Sequence, residues 1–388
     1  MKRWWLVLVV IVLVCAVGFL LILAESIKPE CDEEFFFGVS FGGNSTNQAK
    51  LLIDRVKDYT NLFLISNWDV SLNETALNEI SQYAIDANLR IIVYFDFTPY
   101  QTYPWIQEYL TTAKQKWGGQ FLGVYLHDEP GGKQLDSGHW RAIDNGNKLY
   151  ENASDYTDAA NVFVEGISSG YSWQFVQNSS LSVFTSDYAL YWFDYLAGFD
   201  VVFAELGWGH NRTQHIALCR GAANVQNKDW GTIIVWNSQD PANIHQGTYK
   251  TGPEMFDDMV VSYNAGAKYV VVFDYPYEGT YGILEEEHFE VMETFWNMTR
   301  SPVSENLQEI NAEVAFVLPK DYGWGMRHLE DKIWMPSWGP DEKSGLIWSN
   351  MNKLIEKYGL RLDIIYDDSR FDFVDSYSEV YYWGSEIS

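Results

Sequence analysis

Short apolar runs recur between residues 35 and 274 and predict eight β-strands. The runs are rich in β-branched and aromatic residues, and several are apolar almost throughout. Strands with that pattern are typically buried on both faces of a sheet. The predicted strands span residues 35–41, 61–66, 90–96, 121–127, 161–166, 200–206, 231–237 and 268–274.

The segments between these strands carry apolar residues at helical spacing. In 72–88 the apolar positions fall on one helical face, and 252–266 begins with Gly-Pro and ends on glycine, as a capped helix does. Eight strand–helix repeats predict an α/β fold, a (β/α)8 TIM barrel, over residues 35–300. A doubly wound open sheet is the alternative. It is disfavoured because neither a GxGxxG motif nor a P-loop follows the first strand.

A second strand–helix pattern follows a polar break at 300–312. A helix with one apolar face is predicted over 344–358. The predicted strands around it are 313–319, 361–366 and 379–383. This order indicates a small flavodoxin-like α/β domain over 312–388. Because it has fewer than 80 residues, we expect it to be incomplete or to pack onto the barrel.

The N-terminal segment 4–24 consists of 21 consecutive uncharged and almost wholly apolar residues, long enough to span a bilayer as a transmembrane helix. Lys2 and Arg3 precede this segment and acidic residues follow it, so the positive-inside rule places residues 25–388 outside the cell. A cleaved signal peptide is the alternative and gives the same compartment. We therefore expect a cell-surface protein with a signal-anchor in the lipid bilayer, or a secreted protein.

Other features of the sequence bear on its partners. Six N-x-[ST] sequons are consistent with an exported glycoprotein. They lie at Asn44, Asn73, Asn152, Asn178, Asn211 and Asn297. Outside the apolar segment the cysteines are Cys31 and Cys219, which could form a disulfide or remain free thiols. The net charge of −27 argues against nucleic acid as a partner. No cofactor is expected, and a zinc site is disfavoured because there is no Cys/His cluster.

Reactive side chains in a (β/α)8 barrel lie at the C-terminal ends of the strands, and acids and aromatics dominate those positions here. The candidate catalytic residues are Glu129, Glu205, Asp128, Asp274 and Glu165. The candidate substrate-binding residues are Trp68, Asp96, His127, Trp208, Trp236, Asn237 and Tyr275. Flat aromatic rings suit a sugar ligand because they cover the C–H face of a pyranose ring, although surplus aromatics also build cores.

The stretch YLHDEP resembles the Asn-Glu-Pro signature at the end of the fourth strand of (β/α)8 glycoside hydrolases. The resemblance implies that Glu129 is the catalytic acid/base, with Asp128 in the place of the asparagine. The second domain is similar to the flavodoxin-like domain that follows the barrel in β-galactosidase-like hydrolases. That family carries a nucleophilic glutamate at the end of strand 7, where this chain has Asn237. Either another acid has that role, or the barrel has lost hydrolysis.

Glycoside cleavage needs one protonated carboxyl group and one carboxylate, and Glu205 is the preferred partner of Glu129 because a tryptophan follows it closely. The sequence therefore predicts a glycoside hydrolase acting on an oligo- or polysaccharide. A non-catalytic carbohydrate-binding protein and a cell-envelope structural protein are the alternatives. Metal catalysis is disfavoured because consecutive strand residues alternate faces, and because His210 and His215 miss the spacing of HExxH.

Overall fold

The computed structural model describes residues 35–95, 105–135, 153–176, 179–237, 249–275, 279–301, 307–327 and 341–387, together with residues 329, 331 and 334. Eight parallel strands form a closed barrel in sequence order. They are β1 (Phe36–Phe41), β2 (Leu62–Ile65), β3 (Arg90–Phe95), β4 (Phe121–Leu126), β5 (Ser182–Asp187), β6 (Val201–Leu206), β7 (Asp229–Ile234) and β8 (Tyr269–Asp274). Because β8 pairs with β1, the sheet is closed. The predicted barrel is confirmed, and the open sheet is excluded.

The fifth strand was predicted in the wrong place. Residues 161–166 belong to the helix Tyr156–Ser168, and β5 begins at residue 182. Asp155 caps this helix through its side chain, and the buried residues Phe163 and Ile167 lie four positions apart. The apolar positions therefore follow the period of a helix, which the short run NVFVEG concealed. Glu165 consequently lies on a helix and not at the end of a strand.

Helices connect the strands and begin at polar N-cap side chains. Capping residues that accept from a backbone N–H include Ser45, Asn67, Asn73, Asp155, Asn211, Thr251 and Asp341. The described α-helices are Thr46–Val56, Trp68–Ser71, Glu74–Asp86, Ile106–Trp117, Pro130–Leu135, Tyr156–Ser168, Tyr191–Ala197, Arg212–Gln226, Gly252–Asn264, Glu286–Thr299 and Glu342–Tyr358. Short 3-10 helices span Gly118–Gln120, Tyr171–Phe175, Gly359–Arg361 and Val374–Ser376.

Side chains that point into the barrel fill its interior. Phe36, Leu64, Tyr125, Phe203 and Val271 belong to one buried cluster that draws on opposite sides of the barrel. Phe36 and Tyr269 also stack, with ring centroids 4.9 Å apart. The barrel is therefore a packed core, and a ligand has access only at its ends.

A second, three-stranded parallel sheet has the order β10-β9-β11, with β9 (Val314–Leu318), β10 (Leu362–Tyr366) and β11 (Glu379–Tyr382). Its strands lie where the second α/β pattern predicted them. Arg220, on a barrel helix, donates to Asp363 of β10 at 2.7 Å and to the backbone oxygen of Leu362 at 3.1 Å. A Cβ at Gly221 would lie 2.8 Å from the oxygen of Ile364, so helix and sheet are in close contact. The boundaries between domains stay a prediction.

The predicted fold class included a transmembrane helix, and this part of the prediction is wrong. Within the ranges given above, no helix is long and apolar enough to cross a membrane. The longest of them, Glu342–Tyr358, has 17 residues and carries charged side chains, whereas a span needs about 20 apolar residues. The segment 4–24 lies outside the described residues, as does Cys31. Cys219 is a buried free thiol.

Candidate active site

The turn after β4 holds Glu129 in an uncommon backbone conformation. His127 and Glu129 have φ angles of 52° and 53°, in the left-handed region that residues other than glycine seldom adopt. The N–H of Glu129 donates to the oxygen of Ser186 at 3.0 Å, and the N–H of Lys133 donates to the oxygen of Glu129 at 3.0 Å. These bonds fix the turn against β5 and start the next helix. The Glu129 side chain is 5% exposed.

Asp187, the last residue of β5, holds the same turn from the other side. Its carboxylate accepts from the N–H groups of Gly131 at 2.5 Å and Gly132 at 2.8 Å. It also accepts from Tyr188 at 2.7 Å and Ala189 at 3.0 Å. Burial raises the pKa of Asp187 to about 6, against the lowering effect of these four donors. Asp187 thus joins the loops after β4 and β5.

The two glycines of the turn are required by this close approach. A Cβ at Gly131 would lie 2.6 Å from the oxygen of Ala189, and one at Gly132 would lie 2.1 Å from the ring of Tyr188. Both distances are shorter than real Cβ contacts. The Pro-Gly-Gly sequence after Glu129 therefore allows the two loops to pack against each other.

Glu205, near the end of β6, belongs to a chain of hydrogen bonds. Ser186 Oγ donates to Glu205 Oε1 at 2.7 Å, and Trp208 Nε1 donates to Glu205 Oε2 at 3.4 Å. The hydroxyl of Tyr125 lies 2.7 Å from Ser186 Oγ and donates to Asp128 Oδ1 at 3.1 Å. Ser186 therefore contacts both glutamates, Glu129 through its backbone oxygen and Glu205 through its hydroxyl.

Asp128 lies at the edge of this network. Besides accepting from Tyr125, it forms an ion pair with Lys133, whose Nζ lies 3.6 Å from Oδ2. Its side chain is 40% exposed. The structure therefore brings Asp128 to the site as a partner of Tyr125.

Aromatic side chains form a cluster over the ends of β6, β7 and β8. The ring of Trp236 lies 5.4 Å from Trp208, 5.6 Å from Tyr249 and 4.9 Å from Tyr275, centroid to centroid. The backbone oxygen of the buried Asn237 accepts from the N–H of Trp208 at 3.0 Å. We call Trp208, Trp236, Tyr249 and Tyr275 the aromatic cluster. Because Trp208 also bonds to Glu205, the cluster adjoins the carboxylate.

Asp274 lies across the barrel from β4. It ends β8, where it pairs in register with Phe41 of β1, and its side chain is 3% exposed. Burial raises the pKa of Asp274 to about 8, opposed by a hydrogen bond from the N–H of Ile283. Asp274 is therefore separate from the Glu129–Ser186–Glu205 network, although the neighbouring Tyr275 belongs to the aromatic cluster.

Other candidates lie away from this network. The exposed Glu165 is on the helix Tyr156–Ser168. The His127 ring packs edge-on against Phe199 at 6.4 Å, and burial lowers its pKa to about 4. Trp68 is exposed, and its Nε1 donates to Asp69 at 2.5 Å. Asp96 lies outside the described residues.

Ser186 and Asp187 are the residues that sequence reasoning missed. The run SVFTSD had the apolar character of a strand and ended on an acid, which was the signal used for the other strands. The prediction of a fifth strand over residues 161–166 leaves no place for this run in an eight-stranded barrel. The error moved the expected strand end to Glu165 and hid the two residues that organise the site.

No protein-family model matches the sequence, and no curated protein sequence matches it. Among solved structures, the chain is similar to α-L-fucosidase isoenzyme 2 from Paenibacillus thiaminolyticus, with a TM-score of 0.52 and 11% identity, over 89% of this chain and 59% of that chain. It is also similar to a GH99 endo-α-mannosidase from Bacteroides thetaiotaomicron, with a TM-score of 0.42 and 11% identity, over 66% and 81% of the two chains. A third structure is orotidine 5′-monophosphate decarboxylase from Methanocaldococcus jannaschii, with a TM-score of 0.35 and 10% identity, over 69% and 99%.

The similarity to the fucosidase is one of fold. It confirms, at the level of fold, the predicted resemblance to (β/α)8 glycoside hydrolases, and the chain spans about 59% of the fucosidase's length. Since one barrel fold serves many unrelated reactions, the activity has to be argued from the site.

Proposed function

We propose that the protein is a glycoside hydrolase that cleaves a glycan with Glu129 and Glu205. The observation that carries this proposal is Ser186, which bonds to both glutamates at the C-terminal ends of β4, β5 and β6. Reactive groups of (β/α)8 enzymes lie at that end of the barrel. Both carboxyl groups are buried, and the aromatic cluster beside Glu205 provides a surface for sugar rings.

The surroundings of the two glutamates suggest different roles. Two side-chain donors, Ser186 and Trp208, point at the Glu205 carboxylate, and donors in that position favour a charged group. Glu205 is therefore assigned as the nucleophile, or as the base that activates water. Glu129 is assigned as the acid that protonates the leaving oxygen.

A binding protein without turnover is the second candidate. Asn237 lies after β7, in the region where the (β/α)8 glycoside hydrolases that this sequence resembles have their nucleophilic glutamate. An amide cannot act as that nucleophile. The aromatic cluster would remain as a glycan-binding surface. This candidate predicts that glycans bind and that Glu129→Gln leaves their affinity unchanged.

Turnover on a panel of aryl glycosides and oligosaccharides separates the two candidates. The enzyme proposal expects hydrolysis by the wild-type protein, loss of hydrolysis in Glu205→Gln, and unchanged hydrolysis in Glu165→Gln, whose glutamate is exposed on a helix. Retained hydrolysis in a folded Glu205→Gln protein would contradict the assignment. Glycan binding with no hydrolysis by any protein would favour the binding module.

We also propose that the protein acts outside the cell. Four of the sequon asparagines are in the described residues and all four are exposed: Asn44, Asn73, Asn211 and Asn297. Exposure is what a glycosylation acceptor needs. Expression of the full chain in a eukaryotic host should give a mass that falls on treatment with an N-glycosidase. An unchanged mass would contradict this proposal.

A further inference from the structure

A cavity of about 300 Å³ opens between the loops after β8 and β1, across the barrel from Glu129. Ligand pockets have volumes of this order and upward. The polar part of its lining is Asn44, Gln48, Asn67, Asp69, Asp274 and Thr280. Tyr281 supplies aromatic surface. The cavity is thus a mixed polar and aromatic site, separate from the paired glutamates.

Asp274 is the most buried of the polar residues that line this cavity. Its side chain is 3% exposed, and its Oδ1 has no hydrogen-bond donor among the described residues. A Cβ at Gly282 would lie 1.9 Å from that oxygen, so only glycine fits there. The burial that leaves Oδ1 without a donor also raises the pKa of the carboxyl group to about 8. A buried acid of this kind gains free energy from a positively charged partner.

The described part of the cavity lining supplies no such partner. None of its residues is Lys, Arg or His, and Asp69 adds a second carboxyl group. Gln48 accepts from Ser45 Oγ at 3.0 Å through its Oε1, which leaves its Nε2 as a donor towards a ligand.

We propose that this cavity binds a hexosamine, a sugar whose free ammonium group pairs with Asp274. The ammonium would supply the missing charge, the amide of Gln48 would bind a hydroxyl group, and Tyr281 would cover the C–H face of the ring. This inference extends the proposed function by naming a class of sugar, and it rests on that function only for the link to cleavage.

The aromatic cluster connects the cavity to the paired glutamates. Tyr275 follows Asp274 directly, its ring lies 4.9 Å from Trp236, and Trp236 lies 5.4 Å from Trp208, which bonds to Glu205. A glycan lying across these rings would reach both sites. The cavity would then select a chain with an amino sugar some distance from the bond that is cleaved.

Calorimetric titration with three monosaccharides tests the inference. The protein is produced without N-glycosylation, because the sequon asparagine Asn44 lines the cavity. We expect glucosamine to bind at least about tenfold more tightly than glucose or N-acetylglucosamine, since only glucosamine carries an ammonium group. A monosaccharide has no glycosidic bond to cleave, so failure of the catalytic proposal does not affect this result.

Two variants locate the site. Asp274→Asn should lose the preference for glucosamine by about tenfold or more, and Asp86→Asn, at an exposed helix end, should keep it. Binding of glucosamine to the wild-type protein should also release protons, because Asp274 ionises opposite the ammonium. Titrations in buffers of different ionisation enthalpy measure that release, and they do not depend on a variant that folds.

Four outcomes would overturn the inference. Equal affinity for glucose and glucosamine would show that the charge is not recognised. Equal binding of ethanolamine would show a site for any amine, and displacement of glucosamine by Ca²⁺ would show a metal site. Retention of the full preference in Asp274→Asn would place the ligand elsewhere.

Discussion

The ends of β6 and β8 present two carboxyl groups with nearly equal burial and very different surroundings. Glu205 is 4% exposed and receives hydrogen bonds from Ser186 and Trp208. Asp274 is 3% exposed, and its Oδ1 receives none from the described residues. Burial alone therefore does not decide what an acid at the barrel rim can do. The hydrogen-bond donors around the carboxyl group decide whether the protein itself stabilises the carboxylate or whether a cationic ligand is needed to do so.

The largest expected effect concerns the side of the barrel that contains β4 and β6. Glu129→Gln keeps the shape of the side chain but removes the transferable proton, so kcat for an unactivated glycoside should fall by roughly 10²–10⁴-fold. Aryl glycosides with good leaving groups should lose less. Glu165→Gln is the matched control. Unchanged kcat in a folded Glu129→Gln protein would show that Glu129 has no catalytic role. The proposed contrast between a catalytic β4/β6 side and a ligand-binding β8 side would then be lost.

The second prediction concerns the pH dependence of stability at the β8 side. The folded protein keeps a proton on Asp274 up to about pH 8, whereas the unfolded chain releases it near pH 4. The free energy of unfolding should therefore fall as the pH rises through that window. Asp274→Asn cannot ionise, so at pH 8 it should exceed the wild type in stability by on the order of 2–4 kcal/mol.

Urea unfolding at pH 4 and pH 8 measures this difference, with Asp86→Asn as the control. At pH 4 the folded Asp274 is protonated and the side chain in the unfolded chain is about half ionised, so the variant and the wild type should be nearly equal in stability. Identical pH slopes in the two proteins would mean that Asp274 has an ordinary pKa. The contrast with Glu205 would then disappear.

A smaller effect is expected from Asp187, which positions the Glu129 turn without touching substrate. In Asp187→Asn the side-chain NH₂ would face the backbone N–H group of Gly131 or Gly132, so at least one of the hydrogen bonds that hold the Glu129 turn is lost. We expect kcat to fall by roughly 10–100-fold while KM changes little, because geometry at the acid is disturbed and the aromatic cluster is not. A folded variant with a raised KM and normal kcat would contradict a positioning role.

The smallest effect is expected from Ser186→Ala. This change removes the donor to Glu205 and leaves the backbone oxygen that accepts from Glu129. The loss of one hydrogen bond to a charged group should lower kcat/KM by roughly 10-fold. Ser262→Ala, at a buried serine bonded to Thr232, controls for packing. An equal loss in both variants would mean a general packing defect.

The sequence predicted those parts of the site that depend on contiguous residues. β4 is an apolar run followed directly by His-Asp-Glu-Pro-Gly-Gly, so both the strand and the turn that carries Glu129 could be predicted from consecutive residues. The hydrogen bonds from the Gly131 and Gly132 N–H groups to Asp187 could not be predicted in this way. Asp187 and Gly131 are 56 positions apart and meet only when β4 pairs with β5. The fifth strand failed for a local reason. A three-residue apolar stretch in the helix Tyr156–Ser168 has the same composition as a strand, and its helical period is visible only over a longer window.

The buried guanidinium of Arg220 has a consequence for anyone who wishes to shorten this protein. It is 3% exposed and its acceptors include Asp363, Ile310, Leu360 and Leu362, all of them beyond the barrel strands in sequence. A fragment that ends after the helix Glu286–Thr299 would keep the positive charge in a helix of the barrel and lose these acceptors. An uncompensated charge of that kind is strongly destabilising. The three-stranded sheet is therefore part of the scaffold that stabilises the barrel, and a fragment without it should be strongly destabilised.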